Sequence, residues 1–277
     1  MTDRLFETKK HADLYAKYRS NVPTVIIDKI LDYLGQQIDK NEWDTVVDVG
    51  CGSGQGTNGI APHFKHCYGF DVSAAQIKVA KESQHPDNVK YEVCPAENLP
   101  SIVSNSVQLV TAFEAVHWFD FDNFMAEVSR VLVINGVVAL VGYFIPDTID
   151  PDKPDDNRIT QLYTDLYLDD RIQPFKNPKL SSLENSYRNF KFPQNYEFLR
   201  IDSISTEKTE LAIDIVKGIE SASHIQALAA KHPITAQTII QELTEKLQQI
   251  LQTDDLSTKQ LLDITHYFVV LARKLND

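Results

Sequence analysis

Cysteine is scarce in this chain. Only Cys51, Cys67 and Cys94 occur among 277 residues, none in a Cys-x-x-Cys pair, which excludes a disulfide framework. The eight histidines are scattered. Their one local group, His63 and His66 beside Cys67, has no second half at metal-ligand spacing, so no metal is expected. Basic charge is short as well: 27 Lys and Arg stand against 39 Asp and Glu, a net charge of -12. That leaves no positive field for nucleic acid or an anionic membrane, although a few local N–H or cationic groups can still hold a small anion. No apolar run approaches the ~18 residues that cross a bilayer, and Met1-Thr2-Asp3-Arg4-Leu5 lacks the apolar core of a signal peptide. The expectation is a cytoplasmic protein with reduced thiols. Hydrophobic residues nevertheless make up 43% of the chain, enough for one large α/β domain or one domain with a sizeable insertion.

Glycine is also sparse, yet four of the ten glycines crowd into one stretch, Gly50, Gly52, Gly54 and Gly56. They follow the β-branched run Thr45-Val46-Val47-Asp48-Val49, of buried-strand type, and precede a helical pattern. Glycines there let the backbone turn sharply and approach a ligand that any Cβ would push away. One strand later, Asp71 ends Cys67-Tyr68-Gly69-Phe70-Asp71, about 20 positions on, the offset that puts a carboxylate on a ribose diol. The pair points to an adenosine-containing cofactor. A dinucleotide turn needs a third glycine three positions after Gly52, and Gln55 stands there; the literal Gly-x-Gly-x-x-Gly at 54, 56 and 59 begins too far past the strand. No Gly-Lys-Ser/Thr follows, which excludes a P-loop. The loop instead suits a small zwitterionic tail passing over the backbone, as in S-adenosylmethionine.

Strand and helix alternate from about Thr45 in the manner of a mostly parallel sheet, with strands expected at 45–49, 66–71, 89–93, 107–113 and 136–143 and helices near 55–63, 74–83 and 121–133. Before them, a polar helix is expected over 7–19 and an amphipathic one from Pro23. Asn135-Gly136 supplies a turn. The Pro- and Asp-rich segment from Pro146 to Asp156 opens an aromatic, helical insertion over 146–195, placed after the fifth strand like a substrate lid or as an ordinary helical elaboration. A strand at 196–201, helices at 208–218 and 236–251 and a last strand at 266–273 complete the pattern. The organisation expected is a single domain: N-terminal cap helices to 40, a cofactor core over 41–145, the lid, and a C-terminal part over 196–277.

Individual residues carry alternatives. Asp48 either attracts a cofactor ammonium and loop N–H groups or simply braces the loop. Asp71 is read as the ribose acceptor, with Ser73 left to cap the next helix. Val72 and Leu99 either pack on the adenine faces or are ordinary apolar residues at loop edges. His117 is a base, a hydrogen-bond donor to substrate, or structural. Trp118 and Phe119 either wall the reaction site or anchor the following helix.

The chain resembles class I S-adenosylmethionine-dependent methyltransferases over residues 1 to about 145, and weakly to the end. Within them it is most similar to the trans-aconitate methyltransferase group, through Glu114-Ala115-Val116-His117-Trp118-Phe119-Asp120-Phe121 with Phe124, through Ala12 to Arg19, and through Gly142-Tyr143. The resemblance implies a Rossmann-like methyltransferase fold with a mostly parallel seven-stranded sheet, helices on both faces and a helical lid. It implies that the loop holding Gly50, Cys51, Gly52 and Gly54 binds the methionine moiety and Asp71 the ribose. The segment from Cys94 to Pro100 is implied to touch the adenine. Many relatives carry an acidic residue where this chain has Pro95, so Glu97 or the backbone at Ala96 is expected to take over. Tyr15, Tyr18, Arg19, Trp118 and Tyr143 are implied to face the substrate, Arg19 pairing with a carboxylate of cofactor or acceptor. The implied reaction methylates a carboxylate of a small organic acid; the alternatives are an amine, thiol or phenol acceptor with His117 as base, or a non-catalytic cofactor-binding module. Oligomeric state is left open.

Overall fold

The computed structural model describes residues 21–276, so Tyr15, Tyr18, Arg19 and the helix expected over 7–19 lie outside the described residues. Contacts divide those residues into two compact units: 21–143, 179–204 and 267–276 form the first, and 144–178 with 205–266 the second. The expected insertion at 146–195 is therefore shared between them rather than standing as one piece.

In the first unit, α1 (Thr24–Leu34) follows Pro23 and buries Ile26, Ile27, Ile30, Leu31, Tyr33 and Leu34 along one stripe. Next come β1 (Thr45–Val49), α2 (Gln55–Ile60), β2 (His66–Asp71), α3 (Ala74–Glu82), β3 (Val89–Val93), β4 (Val107–Phe113), α4 (Phe121–Val131) and β5 (Leu132–Tyr143). The sheet order is β3-β2-β1-β4-β5, all parallel, and β5 pairs antiparallel with residues 267–273 of the last strand, β8 (Gln260–Lys274). β1 is buried throughout, Val46 facing one apolar layer and Val47 and Val49 the other, which is why its sequence runs apolar without alternation. After β1 the chain builds β2 and β3 on one side, then crosses to β4 on the other. A crevice opens at such a switch point beyond the carboxyl ends of β1 and β4.

The second unit holds β6 (Asp147–Ile149), α5 (Arg158–Tyr167), α7 (Ala212–Glu220), α8 (Ser223–Lys231) and α9 (Pro233–Leu251). Ile159, Tyr163, Leu243 and Leu247 share one of its apolar clusters, and β6 pairs antiparallel with the early part of β8, Thr148 opposite Asp263. In the first unit, the short α6 (Leu180–Glu184) precedes β7 (Tyr196–Leu211), which pairs with β8 and ends in the second unit.

Among the described residues eight strands pair rather than the expected seven, the addition being three-residue β6, too short to leave a pattern. The helix expected from 208 begins at Ala212, because 208–211 still belong to β7; the last strand starts at Gln260 rather than 266. The helix expected to end at 133 stops at Val131, and β5 begins at once. The Asn135-Gly136 turn becomes a bulge within β5: Asn135 has φ 67° and the pairing with β4 shifts register there.

Candidate active site

The glycine loop sits at the carboxyl end of β1. Gly50, Gly52 and Gly54 have φ of 64°, 55° and 96°, in the left-handed region that side chains rarely adopt. A Cβ on Gly50 would lie 2.5 Å from the Cβ of Ala115, so this glycine lets the segment after β4 approach. At Gly52 a Cβ would meet nothing within 4 Å, which leaves its outer side open to a ligand. Asp71, at the end of β2, accepts the N–H of Gly52 at 2.9 Å with one oxygen and that of Ser73 at 2.8 Å with the other. Ser73 itself caps α3 by accepting from the Gln76 N–H, as expected. Asp71 is thus tied to the loop rather than unengaged. An open cradle at Gly52 with a carboxylate braced beside it fits S-adenosylmethionine.

Asp48 takes the bracing role. It is buried and accepts from Thr57 Oγ1 at 2.6 Å and from Thr111 Oγ1 at 2.7 Å, tying β1 to α2 and β4. Burial pushes its carboxyl up to about 7 despite those two hydroxyls. Cys51 is buried behind the loop; its N–H donates to the Phe70 carbonyl, and burial raises its thiol well above the ordinary range.

The segment after β3 folds back on the site, the Cys94 N–H donating to the Asp71 carbonyl at 3.0 Å. Val72 is 55% exposed beside it. Leu99 has no exposed surface. It packs among Val47, Phe70 and Phe124, so it belongs to the core and not to an adenine wall. Glu97 does not reach outward with both oxygens: Oε1 accepts the Asp120 N–H at 2.8 Å, anchoring this loop to the start of α4. Ala96 is buried.

Beyond β4 the chain turns at Glu114, whose φ is 53° and whose carboxylate accepts the Tyr143 N–H. A short 3-10 turn, Val116–Trp118, then carries His117. His117 is buried, with Nδ1 3.0 Å from the hydroxyl of Tyr187. Burial, reinforced by the Lys179 ammonium, holds its imidazolium form down to about pH 3, so the ring is neutral at physiological pH. Trp118 is half-buried, its ring 4.7 Å from His117, and its carbonyl accepts from Lys179 Nζ at 2.6 Å. Phe119 packs against Phe124 as a helix anchor while lying within reach of Gly50. Tyr143 packs its ring against Tyr267 at 5.3 Å, the planes tilted by 55°, across the β5–β8 pair.

Three participants were not singled out from the sequence. Thr57 and Thr111 read as ordinary helix and strand residues, and only the fold brings their hydroxyls to Asp48. Tyr187, one aromatic among several in the expected lid, reaches His117 from 70 residues away. Its φ of 58°, next to Ser186 at 52°, marks an unusual backbone that composition does not announce.

A family model described as a methyltransferase domain matches residues 47–140, the span from β1 to β5 that carries this site. A solved structure assigned as a type II methyltransferase from Anaeromyxobacter dehalogenans superposes with a TM-score of 0.70 at 25% identity, covering 93% of this chain and 98% of that one. The matched domain and the fold are those of class I S-adenosylmethionine-dependent methyltransferases, and the enzyme is a methyltransferase with S-adenosylmethionine as its cofactor. By sequence it is 27% identical over 267 residues to a protein assigned as a methyltransferase in Dictyostelium discoideum, covering 96% of this chain and 95% of that one. It is 29% identical over 140 residues to one assigned as an S-adenosylmethionine-dependent methyltransferase in Saccharomyces cerevisiae. That second match spans 49% of this chain and 46% of the yeast protein.

Proposed function

We propose that this enzyme methylates a carboxylate of a small organic acid, giving a methyl ester, in the manner of the trans-aconitate methyltransferase group that its Glu114–Phe121 segment resembles. The observation that carries this reading is the state of His117. Methyl transfer is an in-line displacement at a carbon that the cofactor's sulfonium already activates, so the protein must chiefly align the reactants and exclude water. An amine, thiol or phenol must also lose a proton, and the base for it should have a pKa near the working pH. His117, with its pKa near 3, is a poor base for that task. A carboxylate is ionised already and needs none. The Lys179 ammonium beside Trp118 adds positive potential on the side of the site where an anion would arrive. Arg19 is proposed as the acceptor's bidentate partner, with Tyr15, Tyr18, Trp118 and Tyr143 around it. The partner is then a small acid and not a nucleic acid or a membrane, and the unpaired Cys51, Cys67 and Cys94 suit a cytoplasmic setting.

The test is incubation with methyl-tritiated S-adenosylmethionine and a panel of carboxylic acids, amines, thiols and phenols, followed by base treatment of the product. Label released as volatile methanol establishes an ester. Label that survives base moves the acceptor to nitrogen, sulfur or a phenol and ends the carboxylate reading.

A further inference from the structure

His117 and Tyr187 form a buried pair whose protons can be assigned. Tyr187 is almost completely buried, and burial raises its phenol well above the usual range, so it keeps its proton. Its ring is fixed by an edge contact with Phe268 at 5.0 Å and a stacked contact with Phe190 at 5.4 Å. The phenol oxygen has one hydrogen-bond partner among the described residues, Nδ1 of His117 at 3.0 Å. A buried hydroxyl proton without an acceptor is strongly disfavoured, and among the described residues the only acceptor on offer is that nitrogen. Nδ1 of a neutral imidazole accepts only when the ring proton sits on Nε2. Nε2 itself has no partner among the described residues.

We infer that Tyr187 is a positioning residue that donates to Nδ1 of His117 and holds the ring as the Nε2–H tautomer, so that His117 presents the acceptor with a hydrogen-bond donor. The consequence is selectivity by hydrogen-bond polarity. A carboxylate oxygen accepts from Nε2–H, whereas an ammonium, which has no lone pair, meets a donor facing a donor and leaves both unsatisfied. The short turn that carries His117 lies next to the glycine loop, since Ala115 and Phe119 are the atoms nearest Gly50, which places the ring on the cofactor side of β4. The left-handed backbone at Ser186 and Tyr187 is the strain spent in delivering the phenol to that spot. The selectivity argument rests on the carboxylate reading; the tautomer does not.

The experiment is nitrogen-15 NMR of ring-labelled histidine in the full-length protein at pH 7, with the His117 signals assigned by their loss in His117→Gln. The spectrum is recorded with S-adenosylhomocysteine, before and after addition of trans-aconitate. The expected pattern is a protonated Nε2 and an unprotonated Nδ1, with the Nε2–H signal moving when the acid is added. A protonated Nδ1 in the wild-type protein overturns the inference whatever the acceptor proves to be. Protonated Nε2 that is indifferent to trans-aconitate and to every other acid in the panel sustains the tautomer and removes the carboxylate reading, so the two fail separately. Tyr187→Phe keeps the ring and deletes the donor. It is expected to mix the two tautomers and to raise the KM for an acid substrate about tenfold, the worth of one hydrogen bond, while the Kd for S-adenosylmethionine stays within about twofold. An unchanged tautomer and an unchanged KM in that variant overturn the positioning role.

Discussion

Asp71 holds the N–H of Gly52 at 2.9 Å across the gap between β2 and the glycine loop, so the carboxylate proposed to receive the ribose also shapes the cradle. The two duties separate on substitution. Asp71→Ala is expected to weaken S-adenosylmethionine binding by about two orders of magnitude, because charged hydrogen bonds contribute about 1.5–3 kcal/mol each. Asp71→Asn keeps an acceptor for one of the two N–H groups and should lose less. Titration calorimetry of both variants reads the difference, and unchanged affinity in Asp71→Ala removes the ribose role.

Gly50 and Gly52 respond to alanine for opposite reasons. In Gly50→Ala the new methyl collides with Ala115, so thermal stability should fall by more than 2 kcal/mol, as overpacking a closed core position does. Gly52→Ala meets open space and suffers only the left-handed backbone cost of about 1–2 kcal/mol. Its methyl projects where the cofactor passes, so affinity should drop by more than tenfold, a steric loss larger than about 1.4 kcal/mol. Melting curves paired with calorimetry distinguish the two patterns.

Two buried groups give opposite pH slopes. His117 titrates near 3 in the fold against 6.5 for a free side chain, so between those values the unfolded chain binds more protons and stability falls as pH is lowered. Asp48 titrates near 7 against 3.8, so the folded protein binds more protons in that interval and stability falls as pH rises through it. Asp48→Asn removes the second effect and should gain on the wild type as pH rises from about 5 to 8. Urea unfolding at several pH values measures it, and a gap between the two proteins that does not change with pH contradicts the buried assignment. For the same reason kcat/KM for an acid substrate should show no limb from His117 near pH 6.5.

Arg273 is 1% exposed and stacks over Tyr33 at 4.3 Å. It donates to the carbonyls of Tyr33 and Asn135 and to Glu197, joining α1, the β5 bulge and β7. Arg273→Lys keeps the charge and loses the planar fork, and is expected to cost about 2–4 kcal/mol in denaturant unfolding.

The parts of the fold that were legible in the sequence are those whose residues are buried on both faces. β1 and β4 read as apolar runs because helices cover them, and the glycines after β1 declared a turn that only glycine makes easily. β7 was cut short at 201 because most of its residues are exposed, so Ser203 to Glu210 show no apolar alternation and read as a helix start. Leu99 was misplaced for a related reason: a leucine at a loop edge looks the same whether the fold turns it to a ligand or to the core. The brace on Asp48 and the pairing of His117 with Tyr187 join residues 63 and 70 positions apart, and a single sequence carries no signal for such contacts.

The pairing of β5 with β8 bears on how the protein is made. Among the described residues, Val137–Tyr143 gain their antiparallel neighbour from residues 267–273, which are synthesised much later. During synthesis at about 5–20 residues per second, β5 therefore waits on the order of ten seconds as an apolar strand with one ladder of N–H and C=O groups open. In that interval it is a template for any other nascent strand. Emergence of residues 267–273 from the ribosome is the event that closes the edge, and a chain stalled before Tyr267 is the form that chaperones must hold.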